Sequence, residues 1–542
     1  MEELEGVKSS QSKEFDIPQS AVEQEISRKT KYDIPLIVVS LGILFTFVLF
    51  MFIKPDLTLD AVNAAFWSAI DIFGSILLVF TFATLCISIY LGLGKYADIR
   101  FGDEKPEYSM FSYIAMMTLA ALASAALYWS FTEWAFYYET PGLGMAPESL
   151  EALESSLAYQ LFHWGLSGQC IYVAIGAAMA YAFYIRKIPS LQTSVVCASM
   201  MGEFKGKSFV GKLIDFCVIF GIVGGLGCSL GLAVPLTGGA LTTVFGIEVT
   251  NIVRILIVLV IGLVFTFTSF LGTKKGMQRL SNTTTILAVL VIGFIFVAGP
   301  TTFIMKNSVN SFGWMIELFP RMSLFSDPVT QSGFPENWTM FFQAFYLNYA
   351  ALMGIFIAKI SKGRTLRQLV WATLIGISAG GWFLFTVNGS FSIYAHINGL
   401  TDIVALANSG KGEAGIYEVI GLLPGGAIII PALFIFIIVG FVASSLDTAS
   451  LSLAQTTTRQ TDKSGDVNKW LRVFWCFILT LVPISILTAG ASFSALKYLS
   501  ILISIPFMFV VAFMEIRLLM WLSEDRKAGK LKKFGINPPV SE

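Results

Sequence analysis

Histidine is nearly missing from this sequence: His163 and His396 are the only two in 542 residues, too few for a metal centre. The six cysteines (Cys86, Cys170, Cys197, Cys217, Cys228 and Cys476) fall mostly inside apolar stretches, with no CxxC spacing. Neither a zinc site nor a disulfide framework is indicated. Charge is scarce as well, with 13% Asp, Glu, Lys and Arg against 55% hydrophobic residues. A water-soluble domain carries about a quarter charged residues, so this composition does not suit a water-facing surface. The formal net charge is zero, and nothing points to a nucleic-acid partner. HExxH and paired aspartates are missing and histidine is scarce, which leaves a membrane-embedded enzyme without its nucleophile–base pair or metal cluster. The chain reads as a non-enzyme with no cofactor. The first thirty-odd residues are polar and mixed in charge, unlike a cleavable signal peptide, whose basic patch sits directly before a short apolar run.

What the sequence has is long apolar runs. A helix needs about 20 such residues to cross the hydrocarbon core. Twelve candidate spans run over 34–54, 68–94, 110–137, 158–185, 208–233, 250–271, 282–304, 338–358, 366–389, 425–456, 470–490 and 497–522. Lys and Arg gather in alternate connections, from Arg28, Lys29 and Lys31 through Lys274, Lys275 and Arg279 to Arg459, Lys463, Lys469 and Arg472. The intervening loops are poor in basic residues, and 138–157 is acidic. The positive-inside rule then places both termini in the cytoplasm and the chain, multi-pass, in the cell (inner or plasma) membrane. The expected organisation is a cytoplasmic tail over 1–33, a transmembrane domain over 34–523 and a short basic cytoplasmic tail over 524–542. The tail suits contact with anionic lipid and leaves little room for an osmosensing gate. An amphipathic piece from Ser311 to Phe325 suits the membrane surface.

The segment Ile357–Thr365, IAKISKGRT, closely resembles the FIARISRGRT signature of the betaine/carnitine/choline transporter family. Phe162-His163-Trp164-Gly165 followed by Tyr172 looks like that family's fourth-helix motif, Cys228–Leu232 like its SLGLG run, and Gly276–Asn282 like its KGIKxLSN loop. Each motif is weak alone; together, in the family's order, they are specific. The resemblance implies an all-α membrane fold of the LeuT type. Spans 3–7 and 8–12 would form two inverted five-helix repeats, with spans 1 and 2 peripheral and substrate held near the midplane at a broken helix of each repeat. Span 3 agrees on its own account. Its small-residue run Ala121, Ala123, Ser124, Ala125 and Ala126 lets backbone approach a ligand or, equally, another helix. A homotrimer is a family expectation.

The resemblance also implies an aromatic box for a small zwitterionic or cationic solute that is betaine-like, choline-like or carnitine-like. A quaternary ammonium cannot donate a hydrogen bond, so it is held by aromatic faces, each contributing about 0.5–2 kcal/mol. The family's box positions fall on Trp164 and Tyr172, and on Phe345, Tyr346 and Tyr349, while Gln169 and Gln343 stand where tryptophans are usual. Phenols and amides add hydrogen-bonding capacity. The competing reading is ordinary aromatic packing. The family's sodium-coordinating hydroxyls fall on Ser444 and Ser445, and backbone carbonyls at Leu119 and Leu122 would complete the set. Serines that bond the preceding turn are the alternative. Sodium-coupled uptake is therefore expected, with sodium-independent substrate/product exchange as the alternative. Glu133 and Asp447 are carboxylates inside apolar spans, functional candidates by depth alone. Glu133 suits the outer entrance, and Asp447 either braces the sodium helix or pairs with a cation.

Overall fold

With no water in the hydrocarbon layer a spanning segment has to satisfy its own backbone, and each long apolar run here is a helix. The computed structural model describes residues 32–122, 124–201, 209–458, 467–488 and 493–538. The cytoplasmic tail expected over 1–33 lies almost wholly outside the described residues, as does the end of the 524–542 tail. Spans 1 and 2 are Ile34–Ile53 and Pro55–Leu93. Span 3 is a bent pair, Met110–Leu122 and Ala125–Glu139, at 58°. Spans 4 to 7 are Leu150–Ile185, Phe209–Phe245, Asn251–Leu271 and Thr273–Ala298. Spans 8 to 12 are Pro335–Ile360, Leu366–Ile397, Ile429–Thr456, Lys469–Thr488 and Phe493–Lys527.

Burial separates centre from periphery. The apolar window of span 1 is 28% buried, against 83% for span 4 and 89% for span 8. Spans 1 and 2, like spans 6 and 7 at 39% and 33%, are more than half unburied at the outside of the bundle, and 4 and 8 form its heart. The packing partners carry the repeat. Span 3 packs on spans 7, 9 and 10, and span 8 packs on spans 12, 4 and 5, the same set displaced by five. Spans 5 and 12 pair as spans 10 and 7 do. Because five is odd, the second set starts from the opposite face, so the repeats are inverted.

The break in span 3 falls at the alanine–serine run. Ser124 Oγ donates to the Ser229 carbonyl of span 5 at 3.1 Å, tying the break to that neighbour. Span 4 starts earlier than its hydropathy suggests, at Leu150, where Ser149 caps the Ala152 amide. It is also broken, after His163, at Trp164-Gly165. A Cβ on Gly165 would fall 2.4 Å from the Leu161 carbonyl and 2.8 Å from Trp382 Nε1, which donates to that carbonyl. Only glycine permits this approach. The amphipathic helix is longer than expected, Thr301–Ser323, and packs on span 9 and the first half of span 4.

The signature segment is a clasp. Gly363, at φ +74°, donates to the Phe101 carbonyl at 2.7 Å, and a Cβ there would meet the Glu104 carbonyl at 2.4 Å. Arg364 is buried over the Tyr113 ring and donates to the Tyr108 carbonyl at 2.5 Å. Lys362 pairs with Glu104 and Arg367 with Asp98, at 3.1 and 3.2 Å. These contacts lock the span 8–9 turn onto the span 2–3 connection, on the face where the basic loops gather. The Lys362 ammonium draws the exposed Glu104 carboxyl below its usual range, first through their hydrogen bond.

Candidate functional site

A cavity of about 790 Å³ opens on the opposite face, beneath the 140–149 and 398–428 connections. Glu139, Glu413, Asn408 and Arg254 line its mouth. Its wall is aromatic: Trp129, Phe136 and Trp338 meet edge-on or tilted, with centroids 5.6 to 6.1 Å apart. At its deep end lie Trp164, Phe342 and Phe345, beside Ala125 of the span 3 break and Gly231 and Leu232 of span 5. Trp164 follows a 14-residue half-helix, which sets it about 21 Å below the start of that helix.

Trp164 is not one face of a continuous helix with Tyr172, as the sequence spacing suggests. It caps the first half of span 4, because Gly165 interrupts the helix between them. Its ring stacks on Phe385 at 5.2 Å and meets Phe342 edge-on at 5.4 Å. Its indole N–H donates to Glu133 Oε2 at 2.7 Å. Glu133 therefore lies behind the deep end rather than at the entrance. The Tyr137 hydroxyl donates to its other oxygen at 2.5 Å and lies 2.8 Å from His163 Nδ1, whose Nε2 is 3.0 Å from Thr339 Oγ1. Spans 3, 4 and 8 are thereby joined by one buried polar chain.

The remaining box positions sit beside and below this floor. Phe345 lines the cavity and packs on Tyr349 at 5.0 Å. The Tyr349 hydroxyl reaches the Gly225 carbonyl at 2.7 Å and Ser229 Oγ at 2.9 Å, tying span 8 to span 5. Tyr346 lies flat over Gly168 and 5.4 Å from the Tyr172 ring, and Gln169 Nε2 is 3.5 Å from its hydroxyl. Tyr172, Tyr346, Tyr349, Gln169 and Gln343 are buried and do not line the cavity. Three of their polar atoms, Tyr172 Oη, Gln169 Oε1 and Gln343 Oε1, have no hydrogen-bond partner. Such orphans cost about 1–3 kcal/mol each, and here they cluster around Tyr346.

Spans 3 and 10 meet at the hydroxyls. Ser445 Oγ donates to the Leu119 carbonyl at 3.0 Å and reaches the Phe441 carbonyl at 3.1 Å. Ser444 Oγ lies 2.9 Å from Ser281 Oγ of span 7. Leu122 ends the first half of span 3. The donors are neutral oxygens of the kind a hard monovalent cation takes, and no His/Cys/Asp/Glu metal cluster exists among the described residues. One turn on, Asp447 forms a buried ion pair with Arg472 of span 11 at 2.5 Å and also accepts from Ser269 of span 6. Of the two roles open to it, the pairing is the one present. Arg472 was legible only as a loop cation.

A family model described as "BCCT, betaine/carnitine/choline family transporter" matches residues 35–527. A carnitine transporter of Acinetobacter baumannii is 35% identical over 455 residues, covering 84% of this chain and 82% of that protein. The uncharacterized transporter YeaV of Escherichia coli is 35% identical over 437 residues, covering 81% and 90%. A solved outward-open, substrate-bound Na+-coupled sialic acid symporter aligns at TM-score 0.47 and 13% identity, over 80% of this chain and 84% of that one.

Proposed function

The chain belongs to the betaine/carnitine/choline family of transporters, and from that premise we propose that it takes up a small ammonium-bearing solute, carnitine-like, betaine-like or choline-like, driven by sodium. The observation that carries this reading is the aromatic cavity that ends at Trp164 and Phe345 beside the break in span 3. Aromatic faces and distant carboxylates suit a positive head group that cannot donate hydrogen bonds. Closure of spans 3 and 8 would bring Tyr172, Tyr346 and Tyr349 to the solute. The orphaned Tyr172, Gln169 and Gln343 atoms then suit a substrate with a hydroxyl, carboxylate or N–H group beside its ammonium. Ser444, Ser445 and the Leu119 and Leu122 carbonyls are the proposed sodium ligands. By the positive-inside rule the open face is the outer one and the described ends lie in the cytoplasm.

Sodium-independent exchange is the second reading, and one observation favours it. The Ser445 and Ser444 hydroxyls already bond protein oxygens, at 3.0 and 2.9 Å. Uptake of labelled carnitine, betaine and choline into proteoliposomes, with and without a sodium gradient, separates the two. Sodium-driven accumulation supports the first; full exchange in sodium-free medium supports the second.

A further inference from the structure

Glu133 is fully buried in an apolar helix and held by donors. An indole nitrogen can only donate, so Oε2 accepts from Trp164 at 2.7 Å. The Tyr137 hydroxyl gives its proton to Oε1, so its own oxygen accepts from His163 Nδ1–H. His163 Nε2 is then left to accept from the Thr339 hydroxyl. A neutral imidazole with an ionised carboxyl group satisfies every hydrogen bond of the chain, as does the reversed relay with the proton on Glu133. Among the described residues no Lys or Arg pairs with Glu133. The titratable groups facing it are Tyr137, Tyr159, His163 and Tyr346, with Glu139, Glu413 and Arg254 at the mouth and Arg321 beyond Tyr159. A buried charge needs a counter-ion, and the open space nearest this one is the cavity across the Trp164 ring.

We propose that Glu133 is the specificity-determining residue for the substrate's positive charge: an ammonium group seated on the Trp164 face is the counter-ion of the Glu133 carboxylate. This rests on the cavity being the substrate site. The indole donates its N–H to the carboxylate, which enriches the ring face that meets the cation. Glu133 acts through the ring and across it without touching the substrate, so it is a positioning residue. A neutral solute of the same shape leaves the carboxylate uncompensated and gains nothing from it. The Tyr137–His163–Thr339 chain gives the carboxylate a donor without adding a positive charge of its own.

The test is equilibrium binding to the purified full-length protein. Choline is compared with 3,3-dimethylbutan-1-ol, the uncharged isostere in which carbon replaces the ammonium nitrogen; betaine and carnitine, whose carboxylates would leave such isosteres anionic, are measured as ammonium ligands only. A unit charge about 7 Å away, at an effective dielectric near 20, amounts to roughly fiftyfold in affinity. Glu133→Gln should therefore weaken the ammonium ligands roughly fiftyfold and leave the neutral choline isostere within about twofold, with Glu133→Asp recovering most of the loss. Trp164→Phe keeps an aromatic face but removes the donor; it should also weaken only the ammonium ligands, and it stands in where Glu133→Gln does not fold. Equal weakening of ligand and isostere, or of neither, overturns the proposal and leaves Glu133 a structural acceptor. Unmutated protein that binds none of the three ammonium ligands overturns instead the reading of the cavity as their site.

Discussion

Gly168 sits in span 4 directly beneath Tyr346. A Cβ at this position would fall 2.2 Å from Cε2 and Cζ of that ring and 2.5 Å from Cδ2, where ordinary contact begins at 3.4 Å. In Gly168→Ala the ring must retreat by about 1 Å against Tyr172, whose centroid is already 5.4 Å away. Forcing a methyl into a packed core costs about 1–3 kcal/mol. Tyr346→Ala alone opens a cavity and costs about 3–5 kcal/mol. In the double variant the alanine methyl occupies space the ring has left, so the two changes should couple favourably by about 1–3 kcal/mol. Thermal unfolding in detergent across the four proteins measures that coupling. In uptake, Gly168→Ala should raise the half-saturating concentration about tenfold, the equivalent of 1.4 kcal/mol, if Tyr346 meets the substrate. Gly168→Ala as stable as the parent, with additive behaviour in the double variant, would refute the packing described here. Unchanged affinity alongside lost stability would leave Tyr346 a packing residue only.

Ser444→Ala with Ser445→Ala should raise the sodium concentration needed for half-maximal uptake without loss of membrane insertion; unchanged sodium dependence would remove these hydroxyls from the ion site. Arg472→Ala strands the buried Asp447 charge and should cost about 3–5 kcal/mol in thermal unfolding, whereas Asp447→Asn combined with Arg472→Gln should cost much less than the sum of the two single changes. Gly363→Ala combines a positive φ with a collision at the Glu104 carbonyl, so it should lose folded protein, and no loss would mean that the clasp is dispensable. In a background without the native cysteines, single cysteines replacing Glu151 and Lys411 should react with an impermeant thiol reagent added outside, and one replacing Lys362 should not; the reverse pattern would invert the proposed orientation.

The number of spans was legible because crossing hydrocarbon demands length and apolarity, and both are local properties. Their repeat was legible only through the family motifs, since no residue pattern within spans 3–7 announces its partner in 8–12. The break at Trp164-Gly165 was hidden because glycine is common in membrane helices; what requires it is Trp382, more than two hundred residues on, donating to the Leu161 carbonyl. The depth of Glu133 could be read from its span, but not that Trp164 and Tyr137 turn toward it. An ion pair was one of two roles open to Asp447, but its partner was hidden because Arg472 stands near a basic loop in the chain and inside the bundle in space. The signature segment marked a family, while its mechanical part, the clasp on Phe101, Glu104 and Tyr108, depends on a connection some 260 residues earlier.

The central claim is that this cavity admits an ammonium-bearing solute and that a sodium gradient drives it inward. Uptake of labelled carnitine, betaine and choline by proteoliposomes of the unmutated protein, under an inward sodium gradient and after its collapse, tests both halves together. The account expects accumulation of at least one of the three that disappears with the gradient and is competed by the other ammonium solutes. Equal accumulation with and without sodium would contradict the coupling, and transport of none of the three would contradict the reading of the cavity.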